Sequence, residues 1–106
     1  MLVSYFNKEV NKMIIKLEEA REFLRIDDDY ADEIIIPLIK AIPSYIEVST
    51  GYKCPNDKEA HPVAQNVAKF ILLLWFDTQT EDSERLRRTI DSLFTALTLI
   101  NESNHG

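Results

Sequence analysis

Two glycines, four prolines and one cysteine are all that the 106 residues contain, and each scarcity removes a class of fold or chemistry. So few turn formers rule out a sandwich or barrel of many short strands, which needs a tight turn every few residues. A lone Cys54 leaves no intramolecular disulfide and no cysteine-based zinc cluster, and fits synthesis in a reducing compartment. Long hydrophobic runs are missing too. The most apolar stretch, FILLLWF, runs from Phe70 to Phe76, against roughly 20 residues for a membrane-spanning helix. The opening MLVSYFNKEVNKM lacks the basic-then-apolar order of a secretory leader. A soluble chain with no membrane partner is expected. Positive charge is also short: 12 Lys and Arg face 18 Asp and Glu, for a net charge of −6. Such a surface repels phosphate and lacks the basic footprint of a nucleic-acid reader. No nucleophile–base pair, metal constellation or glycine-rich phosphate loop is present, so neither an enzyme nor a cofactor is expected.

What remains is helical periodicity. Hydrophobic residues make up 45% and charged residues 28%, ordinary values for one globular domain. We read residues 1–12 as an N-terminal extension, 13–100 as an all-α domain of four main helices, and 101–106 as a flexible tail. In KLEEAREFLRI, Leu17, Ala20 and Leu24 share one face, predicting a helix that ends near Ile26. Asp27, Asp28 and Asp29 follow. Without the twelve-residue spacing and central glycine of a calcium loop, they read as N-caps for the next helix. That helix is predicted from Tyr30 to Thr50, stopped by Gly51. Its stripe is Ile35, Leu38, Ile39, Ile42 and Ile46, flanked by Ile34 and Tyr45. Pro37 and Pro43 each remove a backbone bond at about 3 kcal/mol, which predicts a kinked or broken helix.

A polar connection carries Cys54 and His61, both read as loop residues without a chemical role. The third helix, from Pro62 to Gln79, places Val63, Val67, Phe70, Ile71, Leu74 and Thr78 on one stripe. Leu72, Leu73, Trp75 and Phe76 make it apolar almost all round. A fully surrounded helix is hard to arrange in so small a monomer, so a second subunit is expected to cover part of it. The fourth helix is predicted from Thr89 to Ile100 on the stripe Ile90, Leu93, Phe94, Leu97 and Ile100. Leu86 extends its phase back toward a cap at Asp82 or Ser83. Arg85, Arg87 and Arg88 form the only dense basic cluster. With Leu72, Leu73 and Phe76, they are the candidate subunit-interface residues.

Placed on these helices, several phrases resemble the head–tail connector (adaptor) family of tailed bacteriophages. One is the acidic amphipathic helix and aspartate-rich turn of LEEAREFLRIDDDYADEI. Another is the helix end carried by Tyr45, Ile46, Ser49, Thr50, Gly51 and Tyr52. VAQNVAKFILLLWFDTQ is similar to the family's apolar third helix, and Ile90, Asp91, Ser92 and Leu93 to its closing signature. The likeness spans residues 13 to 100. It departs in the extension before Met13 and at Pro43, where the family usually has a helix former. The resemblance implies a phage or prophage structural subunit, made in the bacterial cytoplasm and placed at the virion head–tail junction. It would form a homo-oligomeric ring between the portal protein and a tail-side adaptor, with DNA only as passing cargo. The alternative, a small helical regulatory module binding DNA or a protein partner, is disfavoured by the acidic balance and the absence of a basic recognition helix.

Overall fold

A computed structural model describes residues 14–55, 58–77 and 82–105. The expected extension, residues 1–12, and Thr78 of the expected third stripe lie outside the described residues. Four helices follow in order: α1, Leu17–Leu24; α2, Asp32–Thr50; α3, Pro62–Phe76; and α4, Ser83–His105. Among the described residues there is no strand. The protein is a small all-α bundle.

Local sequence explains where α1 starts and stops. Lys16 has no side-chain acceptor, so only the return half of a capping box forms, its N–H donating to Glu19 Oε1 at 3.2 Å. At the other end Arg25 adopts a left-handed conformation (φ 59°, ψ 45°). The Ile26 N–H then reaches Arg21 O at 2.8 Å and the Arg25 N–H reaches Glu22 O at 3.1 Å. This pair of bonds is a Schellman motif, and Ile26 is buried just beyond it. The aspartate turn departs from expectation. Asp27, Asp28 and Asp29 are exposed, and the N-cap of α2 is Ala31, with no side-chain cap. Asp28 Oδ1 instead accepts from the Asp29 N–H at 2.9 Å, and Asp29 O accepts from the Asp32 N–H at 3.1 Å. The turn absorbs its own side chains, and Asp32 and Glu33 supply the acid in the first turn of α2.

The α2 helix does not break. It runs through Pro37 and Pro43 without interruption. Ile35, Ile39, Ile42 and Ile46 on its inner face are all 0–1% exposed. Burying these four contributes about 6–12 kcal/mol, against a cost of roughly 6 kcal/mol for two interior prolines. Pro37 and Glu33, whose carbonyl Pro37 leaves without its helical partner, are both exposed, so water can complete that bond.

The central element is α3, which packs against all three other helices. Ala64, Val67, Ala68, Ile71 and Leu72 are each 0–1% exposed, and the two alanines let neighbouring backbones come close. The last turn of α3 is less enclosed, with Leu73, Leu74, Trp75 and Phe76 only half-buried. The other three helices share the coverage, with Ile90 and Leu97 of α4 buried beside it. Aromatic contacts tie the layers: Phe23 of α1 meets Phe70 edge-on at 6.4 Å, and Tyr45 of α2 meets Trp75 at 5.3 Å and Phe94 at 5.7 Å. The α4 helix starts at Ser83, where the backward extension of its stripe placed it. It also continues through residues 101–105, the expected tail. No glycine or proline lies between Pro62 and Gly106 to stop it.

One ion pair fixes α1 to α2. Arg21 Nε donates to Asp32 Oδ1 at 2.9 Å and Nη2 donates to Oδ2, a two-pronged arrangement on partly buried side chains. The hydrogen bond from Arg21 holds the Asp32 carboxyl below its ordinary range, and the carboxylate in turn raises the guanidinium.

Two measurements follow from these ends and this pair. Because Arg25 holds a positive φ at a cost that glycine does not bear, Arg25→Gly raises stability by roughly 0.5–1 kcal/mol in chemical denaturation. A carboxyl whose folded pKa is lowered adds stability that is complete above its unfolded pKa, near 3.8, and fades as pH falls through the folded value. Between pH 5 and pH 2 the wild type therefore loses more stability than Asp32→Asn, in which this contribution is missing throughout.

Candidate assembly surfaces

The three arginines occupy the first half of α4. Arg85, Arg87 and Arg88 are all exposed. Arg88 Nη2 lies 3.9 Å from Glu84 Oε2 one turn back, with both side chains open to solvent, and such a pair contributes little. Arg85 and Arg87 form no ion pair among the described residues. The cluster stands among the acidic residues Glu84 and Asp91 of the same helix and Asp82 just before it, and Asp91 shares a cleft with Arg87.

The candidates on α3 divide. Leu72 is 0% exposed and belongs to the subunit's own core, so its expected place at an interface is corrected. The periodicity had put Leu72 beside the buried stripe, and the convergence of all three other helices on α3 closes that side as well. Leu73 and Phe76 remain half-buried. Nearby, a cleft of about 160 Å³ opens where Tyr45, Leu74 and Trp75 meet Arg87 and Asp91. Of the six candidate residues only Arg87 lines it. The structure thus brings one arginine to α3, at Trp75.

Sequence reasoning missed a second apolar stripe. Tyr30 is 75% exposed, Ile34 60% and Val48 87%, whereas Tyr45 is 43% exposed and packs on Trp75 and Phe94, and Leu38 is half-buried against the core. Ile34, Leu38, Ala41, Tyr45 and Val48 recur at intervals of four and three residues, the spacing of a helix–helix seam. This seam is offset by one residue from the buried isoleucines, about 100° around the helix. Read together, the two stripes look like one broad face. Separating them requires noticing that each keeps its own spacing.

The loop after α2 is built by the Thr50–Gly51–Tyr52 phrase. Gly51 ends the helix at φ 83°, and a β-carbon there would lie 3.0 Å from Asn101 Nδ2 of α4. Thr50 Oγ1 donates to Ile46 O at 2.8 Å and accepts from the Tyr52 N–H at 3.0 Å. The buried Tyr52 ring projects its hydroxyl to accept the His61 N–H at 2.8 Å. His61 Nδ1 then accepts the Val63 N–H at 3.1 Å and caps α3. His61 is therefore a capping residue. An open hollow of about 650 Å³ beside this loop mixes Lys53 and Lys58 with Glu59. Cys54 is half-buried, and burial raises its thiol pKa. Among the described residues no group of three or more His, Cys, Asp or Glu side chains is arranged to hold a metal ion, and no helix is long and apolar enough to cross a membrane.

Residues 14–102 match the family model described as phage gp6-like head-tail connector protein. No curated protein and no solved structure matches the chain.

The loop clamp has a direct test. Tyr52→Phe keeps the buried ring and removes the acceptor of the His61 N–H. We expect a loss of about 1–2 kcal/mol in chemical denaturation, with far-ultraviolet circular dichroism unchanged.

Proposed function

The chain belongs to the phage gp6-like head-tail connector family, a structural family of the virion head–tail junction, and from that premise we propose that it assembles into a ring joining the portal to the tail. The match over residues 14–102 carries this reading. It is supported by exposed apolar residues on α2 and by an arginine cluster left without strong partners within the subunit. Repeated head-to-tail contacts close a ring when the same two complementary patches meet at every step. One patch consists of Arg85, Arg87 and Arg88, reinforced by the half-buried Leu73 and Phe76. The other is acidic surface on the next copy. The ring docks on the portal protein on its head side and meets a tail-side adaptor on the other. DNA passes through as cargo. A net charge of −6 suits a lumen that does not grip phosphate, because tight phosphate contacts would hold the strand in place.

Light scattering and negative-stain microscopy of the purified chain, with and without its portal protein, test the assembly. Rings or portal-bound oligomers are expected. Monomer alone under both conditions overturns the reading. Reversing the cluster with Arg85→Glu, Arg87→Glu and Arg88→Glu should weaken assembly at least tenfold at low salt while leaving the helical signal intact. The wild-type chain is expected to give no shift of nonspecific duplex DNA at low salt.

A further inference from the structure

An exposed aromatic residue and an open cleft on the same subunit match each other and cannot meet within it. Tyr30 closes the aspartate turn and is 75% exposed, with Asp27, Asp28 and Asp29 exposed just ahead of it. The cleft of about 160 Å³ lies where α2, α3 and α4 meet. Its apolar walls are the rings of Tyr45 and Trp75, tilted 62° to one another, with Leu74 and Ile90. Its charged lining is Arg87 and Asp91, one helical turn apart and both exposed. Neither takes part in the ion pair of this helix, which among the described residues joins Arg88 to Glu84. Tyr45 comes thirteen residues after Asp32, the first residue of α2 (45 − 32 = 13). At about 1.5 Å per residue that sets the turn roughly 20 Å from the cleft, so Tyr30 does not reach the cleft of its own subunit.

We infer that, within the ring proposed above and resting on that reading, Tyr30 of one copy docks in this cleft of the next. The aspartate turn is then the acidic surface that the arginine cluster meets. The ring of Tyr30 lies against Tyr45 and Trp75, where tilted and edge-on contacts are favoured over flat stacking. Its hydroxyl donates to the Asp91 carboxylate, and Asp29, its neighbour in the chain, pairs with Arg87. A cleft that holds both a cation and a carboxylate suits an occupant that brings an acid beside a hydroxyl, and Asp29 with Tyr30 is such an occupant. Tyrosine, tryptophan and arginine are also the residues that most often anchor interfaces. Because the chain carries the two halves at different places, the contact runs head to tail and repeats from copy to copy. That selects a second copy over an unrelated partner.

Full-length chains with one half of the contact broken test this. Tyr30→Ala, at an exposed position, should keep the wild-type circular dichroism and weaken assembly, alone or on the portal, at least tenfold. Asp91→Arg, which replaces the acceptor in the cleft with a bulky cation, should do the same. Mixing the two variants should give a 1:1 pair and nothing larger in light scattering, because the intact Tyr30 of one chain enters the intact cleft of the other. Neither variant should pair with itself. Pairing should also lower acrylamide quenching of Trp75, the sole tryptophan. A mixture that stays monomeric, or pairs that either variant forms equally well by itself, overturns the docking. Rings on the portal that form as well from Tyr30→Ala as from the wild type overturn the docking and leave the ring reading standing. A mixed pair from chains whose wild type never assembles on the portal keeps the docking and overturns the ring.

Discussion

Everything in this bundle hangs on the burial of α3. A helix that is apolar almost all round needs covering on more than one side, and a chain of 106 residues has three other helices with which to cover most of it. They converge on Ala64, Val67, Ala68, Ile71 and Leu72. The small residues at 64 and 68 set how close the neighbours come. The isoleucine face of α2 and the Ile90 and Leu97 face of α4 supply the walls. Because α2 must present an unbroken face to this centre, its two prolines are accommodated within the helix. The enclosure also fixes where the aromatic residues meet, with Tyr45 reaching both Trp75 and Phe94.

Much of this was legible in the residues. The four helices, their inner stripes and the stop at Gly51 follow from spacing and composition, and the family resemblance from the order of particular phrases along the chain. What failed did so for identifiable reasons. Periodicity along one helix cannot say how many neighbours will surround it, so Leu72 was assigned to a subunit interface when it lies in the core. Local cost cannot be weighed against distant burial, so a break at Pro37 or Pro43 was open on the sequence, and the helix runs on without one. Asp27, Asp28 and Asp29 have the right chemistry for capping and the wrong position, because Tyr30 and Ala31 intervene before the first helical turn. Two stripes one residue apart were read as one, and this hid the exposed seam of α2. The arginine cluster was read from composition, and its exposure now supplies the physical reason to look outward from it.

The features that carried the resemblance have separate structural roles. Thr50, Gly51 and Tyr52 turn the chain and hold the start of α3 through His61. Trp75 anchors the meeting of α2, α3 and α4. These residues shape the scaffold, whereas the exposed arginines and the α2 seam lie on its outside. Among these, the residues that mark the family and the residues that stay exposed are thus different sets. A search for function guided only by the motifs would stop at the scaffold.

The packing order has a kinetic consequence. The most extensive helix contacts are between neighbours along the chain, α3 with α4 and α2 with α3. Bundles dominated by such local contacts fold in microseconds to milliseconds, whereas encounters between separate proteins at cellular concentrations are slower and depend on how many copies are present. Each subunit therefore completes its interior well before it meets another. Crowding during a burst of synthesis then meets a chain whose core is already closed, which shortens the time its apolar stripes are open to other chains.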